Sequence, residues 1–135
     1  MKSFRILAAA LIYPAFNLPD YVRTAVDTFF GGDPDKVPEE GLGIKLGDNN
    51  FTFSRKYVLD AYDIEPFKVI GQYEGMVKIV HGDKDIVVPL DYSLKALKIY
   101  KNAHLDTIHG QGHIFDQGGI SQATTILQNW FPKVL

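Results

Sequence analysis

Two short segments of this sequence combine carboxylates with imidazoles: His81-Gly82-Asp83-Lys84-Asp85-Ile86-Val87-Val88-Pro89 and His109-Gly110-Gln111-Gly112-His113. An aspartate that accepts the Nδ1 proton of a histidine fixes the tautomer of the ring and stabilises its imidazolium. Nε2 is then left free to act as a general base. Asp85 and His113, 28 residues apart, are the candidates for that pair. Asp83 is the alternative carboxylate, and each aspartate also reads as a plain turn residue. Gly110 and Gly112 allow a sharp turn that brings the ring of His113 to the surface. The competing chemistry is a metal, because His109 and His113 are four apart. That spacing holds a metal best on a helix, and the two glycines argue against a helix there. Neither a metal nor a cofactor is expected.

The proximity of Asp85 and His113 depends on the elements that carry them. Met76 to His81 reads as a strand ending at Gly82, and Ala103 to Ile108 as a second strand. Between them Asp91 stands where a helix N-cap should, with Leu94, Leu97 and Tyr100 following at helical spacing. A connection of that length fits a right-handed parallel crossover, so both strands finish at one sheet edge. Open α/β sheets collect their ligands at that edge. His81 is expected to pack beneath it and shape the acid loop, whereas His104 and His109 read as strand histidines satisfied by neighbours.

Ile120, Ala123, Leu127, Trp130 and Phe131 mark one face of a closing helix that Pro132 ends. Near the start, the apolar run from Ile6 to Tyr13 reads as a parallel strand covered on both faces. With Met1 to Arg5 before it, the run also imitates a signal peptide, but Pro14 interrupts it and Ala8-Ala9-Ala10 falls too early for a cleavage site. From Asp20 to Glu74 turn residues accumulate, among them Gly31-Gly32-Asp33-Pro34 and Gly47-Asp48-Asn49-Asn50. This connecting excursion holds candidate helices over Tyr21 to Phe30 and Arg55 to Tyr62, and a hairpin of Leu42 to Leu46 with Phe51 to Phe53.

Phe4 to Pro14, the pattern H-G-x-x-D-x-x-V-P at His81 to Pro89 and the pattern G-x-G-H-x-F at Gly110 to Phe115 occur here in one order and at one separation. Together they resemble the last strands of an α/β-hydrolase of the cinnamoyl or feruloyl esterase type. The resemblance spans nearly the whole chain. It implies a partial α/β-hydrolase fold of about three parallel strands with flanking helices. It further implies a single C-terminal domain over residues 1–135, with residues 20–74 as a cap-like insertion. By matching position Asp85 resembles the triad acid and His113 the triad histidine. Phe29, Phe30, Tyr57, Tyr62 and Phe67 would then line an acyl pocket or simply build core.

Such hydrolases place their serine in a G-x-S-x-G elbow upstream of the acid. This sequence holds only Ser3, Ser54, Ser93 and Ser121, none in such an elbow. The nearest imitation, Gly119-Ile120-Ser121-Gln122-Ala123, follows the histidine, and Ser121 reads instead as the cap of the last helix. The expectation is therefore the acid-and-histidine part of a serine ester hydrolase, inactive alone; the alternative is a non-catalytic remnant or interaction module of the same fold.

Composition narrows the partners. The 135 residues are 46% apolar and carry 14 basic against 16 acidic residues, net −2, which offers no electrostatic footprint for nucleic acid or an anionic membrane. No apolar run reaches the roughly 18 residues of a membrane span. The absence of cysteine suits a reducing cytoplasm. A small-molecule ester is the expected substrate once the missing parts are supplied. The strand near Arg5 to Tyr13 lacks a partner on one side, so a homo-oligomer, most simply a dimer, or pairing with a missing N-terminal half is expected to cover it.

Overall fold

A computed structural model describes residues 6–46 and 48–134. Residues 1–5, Gly47 and Leu135 lie outside that description, and with them the signal-like opening, the expected strand start at Arg5, Ser3 and the first turn position of the hairpin. In chain order the elements are β1 (Ala8–Ile12), α1 (Leu18–Phe30), β2 (Leu42–Leu46), β3 (Asn49–Phe53), α2 (Arg55–Tyr62), α3 (Pro66–Val69), β4 (Met76–Gly82), α4 (Leu90–Ile99), β5 (Ala103–Ile108) and α5 (Gln117–Trp130). They divide into two compact units, Met1–Ala15 with Phe67–Leu135, and Phe16–Pro66. None of the described helices is long and apolar enough to cross a membrane.

The first unit is built on a sheet of order β1-β4-β5. Both pairings are parallel, with Ala8 opposite Met76, Ile12 opposite Val80, Val77 opposite Ala103 and Gly82 opposite Ile108. The central strand takes the apolar load, as Val77, Ile79, Val80 and His81 are all buried. A parallel strand flanked on both sides and covered on both faces must be apolar throughout, which is why β4 reads so clearly. β1 departs from the expectation of full cover. Its first four residues are half-buried and Ile12 is 40% exposed, because the strand has a neighbour only on the β4 side among the described residues.

Under the carboxyl ends of β4 and β5, Val80, Ile108, Phe115 and Ala123 form a core with Tyr13, Ile126 and Leu127 packed against it. Ala123 and Trp130 supply the buried face of α5. Two caps differ from those expected. α4 begins at Leu90, directly after Pro89, so Asp91 lies within the first turn, where its charge favours the positive helix end without capping it. α5 begins at Gln117, and Asp116 caps it by accepting from the Gly119 N–H at 2.8 Å. Gly118 and Gly119 lie in its first turn. Ser121 therefore sits inside the helix, where its carbonyl accepts from the Thr125 hydroxyl.

The second unit buries Val22, Ala25, Val26, Val37, Leu42, Val58 and Ala61 as its own core, with Phe30, Phe53 and Tyr62 against it. α1 starts three residues before Tyr21, led by Pro19, and ends at Gly31 in the left-handed conformation. β2 and β3 pair antiparallel as expected. α2 covers Arg55–Tyr62, with the Ser54 hydroxyl accepting from the Tyr57 N–H at 3.2 Å. Arg23 closes its far end by donating to the carbonyls of Tyr62 and Ile64.

Candidate active site

Both loops singled out in the sequence leave the carboxyl end of the parallel sheet, one after β4 and one after β5. Asp85 is buried. Its Oδ1 accepts from the N–H groups of Val87 at 2.9 Å and Val88 at 2.7 Å, so the loop wraps its own backbone around the carboxylate. Its Oδ2 lies 2.9 Å from His113 Nδ1. A carboxylate so surrounded only accepts, so His113 donates from Nδ1. The His113 side chain is 28% exposed, and its Nε2 has no partner among the described residues. The pair thus has its carboxylate buried and held by its own loop, its imidazole half-exposed, and Nε2 free.

Asp83 goes elsewhere. Its carboxylate accepts from the Gly110 N–H at 2.7 Å and from His109 Nδ1 at 2.5 Å, and these bonds, the backbone one foremost, hold its pKa below the ordinary carboxylate value. The structure thus brings together Asp85 with His113 and Asp83 with His109, so the two histidines four apart face different carboxylates. Among the described residues no group of three or more acidic or imidazole side chains could hold a metal. His109 lies just beyond β5 instead of within it, and His104 is an exposed residue of β5. His81 is fully buried, with Nε2 2.9 Å from the Val88 carbonyl across the base of the acid loop.

Four residues matter to this geometry beyond the candidate pair. Gly82 ends β4 where the histidine loop crosses it, so closely that a Cβ there would lie 2.2 Å from the Gln111 carbonyl oxygen. Gln111 ties the loops together: its carbonyl accepts from the Lys84 N–H at 2.9 Å, and its side-chain oxygen accepts from the Asp116 N–H at 2.9 Å. Tyr13 packs its ring 5.1 Å from His113 and edge-on to Phe115 at 5.0 Å. Its φ of 37° lies in the left-handed region that a tyrosine rarely adopts, while its N–H is held by the Val80 carbonyl at 2.8 Å. Ser93, buried on α4, reaches His81. The glycine signal of Gly82 is visible in the loop pattern; nothing in sequence spacing marks the other three.

The aromatic residues of the excursion scatter. Phe30 and Tyr62 pack on the core of the second unit, Tyr57 stacks on Phe53 at 4.8 Å, and Phe29 is exposed. Phe67 belongs to the sheet unit, with Lys95 Nζ 4.1 Å above its ring.

A three-stranded parallel sheet with flanking helices, and an acid and a histidine at the ends of adjacent strands, is part of an α/β-hydrolase fold. Its structural neighbours include an esterase domain and an α/β-hydrolase domain-containing protein. Est1E from Butyrivibrio proteoclasticus aligns with a TM-score of 0.74 and 28% identity over 96% of this chain and 52% of that one. A structure of ferulic acid bound to Est1E gives 0.73 and 28% over 94% and 49%. The esterase domain of a Rhodothermus marinus protein (0.67, 12%, over 93% and 50%) and mouse alpha/beta hydrolase domain-containing protein 10 (0.69, 16%, over 96% and 53%) share the fold. The chain spans about half the length of these solved structures. No protein-family model and no curated protein sequence matches it.

Proposed function

We propose that this chain supplies the acid and the histidine of a serine carboxylic-ester hydrolase, with the serine and the oxyanion donors coming from polypeptide beyond it. The observation that carries this reading is the 2.9 Å bond from His113 Nδ1 to a buried, backbone-clamped Asp85 at the ends of parallel strands. In that role His113 Nε2 takes the proton from an incoming serine hydroxyl as it attacks the ester carbonyl, and returns it to the leaving alcohol. Asp85 orients the ring and stabilises its positive charge. The 28% identity to a protein with ferulic acid bound supports a small ester substrate whose acyl group is of the cinnamoyl or feruloyl kind. The compact unit Phe16–Pro66, which overlaps most of the excursion 20–74 assigned to a cap, would serve as that insertion. None of the three described serines stands in an elbow: Ser54 caps α2, Ser93 faces His81 and Ser121 is inside α5. Without nucleophile and oxyanion hole the chain alone is inactive. The open side of β1 is then covered by the other half of the fold or by a second copy, in a reducing, cytoplasmic setting.

The test mixes the chain with a hydrolase N-terminal half that carries a G-x-S-x-G elbow. Hydrolysis of a short aryl ester should appear on mixing and vanish with His113→Gln. A serine-directed fluorophosphonate should label the added half and leave this chain unmodified. Labelling of Ser121 would overturn the assignment, and an assembled but silent complex would favour a non-catalytic interaction module.

A further inference from the structure

The hydrolytic reading leaves unused a fully buried histidine that touches the acid. Nε2 of His81 faces two atoms that only accept, the Val88 carbonyl at 2.9 Å and Asp85 Oδ2 at 3.1 Å. That nitrogen therefore carries the proton. Nδ1 of the same ring lies 2.6 Å from the hydroxyl of Ser93, which is also fully buried. With Nε2 protonated and the ring neutral, Ser93 donates to Nδ1. The bonds then run in one direction from α4 to the site: Ser93 hydroxyl to His81 Nδ1, His81 Nε2 to Asp85 Oδ2, with His113 Nδ1 arriving at the same oxygen from the half-exposed side.

The two oxygens of Asp85 are not held alike. Oδ1 is gripped by two backbone donors of its own loop, whereas Oδ2 has side-chain donors only. If His81 is removed, the carboxylate can pivot about Oδ1, and Oδ2 keeps nothing but the mobile imidazole it is meant to orient. A buried imidazole with every nitrogen partnered is costly to build where an apolar side chain would fill the same space.

We propose that His81, itself held by Ser93, is a positioning residue that fixes Asp85 Oδ2 and thereby keeps His113 in the Nδ1–H form with Nε2 free. The proposal rests on the reading of Asp85 and His113 as acid and base. Its test is imidazole nitrogen NMR of the full chain at about pH 9, where histidines are neutral. The wild-type chain should show His113 protonated at Nδ1 and His81 at Nε2. In His81→Phe, which keeps the bulk and removes both nitrogens, His113 should lose most of its Nδ1–H population to the Nε2–H form that a free imidazole prefers. Ser93→Ala removes one hydroxyl without adding bulk and should give an intermediate population. An Nδ1–H signal of His113 that stays at its wild-type level in Ser93→Ala and in a folded His81→Phe sinks the role of His81 and leaves the acid–base pair standing. If His81→Phe fails to fold, an unchanged signal in Ser93→Ala alone overturns the proposal. His81 protonated at Nδ1 in the wild-type chain also overturns it, and His113 protonated there at Nε2 overturns the pair as well.

Discussion

Replacing Gly82 by alanine should pull the acid and histidine loops apart. The added Cβ would sit 2.2 Å from the Gln111 carbonyl oxygen, 2.6 Å from its carbonyl carbon and 2.9 Å from the Gly112 carbonyl oxygen. All three are backbone atoms, so no side-chain rotation relieves the clash. Opening the worst contact to the 3.0 Å that real Cβ atoms respect requires a shift of 0.8 Å. Gln111 and Gly112 immediately precede His113, so much of that shift reaches the ring, and a bond of 2.9 Å to Asp85 stretches to about 3.7 Å, outside hydrogen-bonding range. The Lys84 N–H to Gln111 carbonyl bond is lost in the same movement. Overpacking of this kind costs about 1–3 kcal/mol. Urea denaturation of wild-type and Gly82→Ala chains measures that loss, and imidazole NMR of the same samples reads the tautomer of His113. A variant within about 0.5 kcal/mol of wild type that keeps the Nδ1–H form would show that the loops are not held at this crossing point.

Asp85→Asn should keep the bulk but turn an amide NH2 or a single carbonyl oxygen toward donors that now number four, at a cost of about 1–3 kcal/mol for the donor left unmatched, read by denaturant midpoint. The same variant should reduce the activity of a complemented complex by several orders of magnitude, since the ring loses its orienting acceptor. Tyr13→Ala removes ring contacts to His113 and Phe115, each worth about 0.5–1.5 kcal/mol beyond buried area; its thermal midpoint should fall, and an unchanged midpoint would deny Tyr13 a part in the core beneath the site. The carboxyls of Asp116, bonded to Gln111 and the Gly119 N–H, and of Asp83 are both held below their ordinary value of 3.8. A lowered folded value means that the stability each contributes is complete above the unfolded value near 3.8 and lost as pH falls through the folded one. The stability gap between wild type and Asp116→Asn should therefore be present at pH 7 and shrink on acidification below about pH 4, and a gap independent of pH would refute the bonding assigned to that carboxylate.

Periodicity was most informative where burial is two-sided. β4 follows the expected run almost residue for residue because a central parallel strand admits few polar side chains, and β5 keeps its expected range although only Ile108 of it is buried. The Asp85–His113 contact was legible for a topological reason: parallel strands in register must release their loops at one edge. Helix starts were harder. α4 and α5 begin before Asp91 and Ser121 because Pro89, at the end of the acid loop, leads straight into α4 and Asp116 caps α5. β1 reads as covered on both faces because it is apolar, yet it is only half-buried, while its open edge agrees with the one the sequence implies. Ser93 and Gln111 were silent, since a polar side chain that reaches across the fold to a buried ring or a helix cap leaves no periodic trace.

Every hydrogen bond made by the side chains of Asp85 and His113 ends on residues between His81 and His113. In the proposed role a visiting hydroxyl then has one vector to satisfy, the approach to the unpartnered Nε2 of His113. In that role, substitutions within Phe16–Pro66 leave every one of these bonds in place.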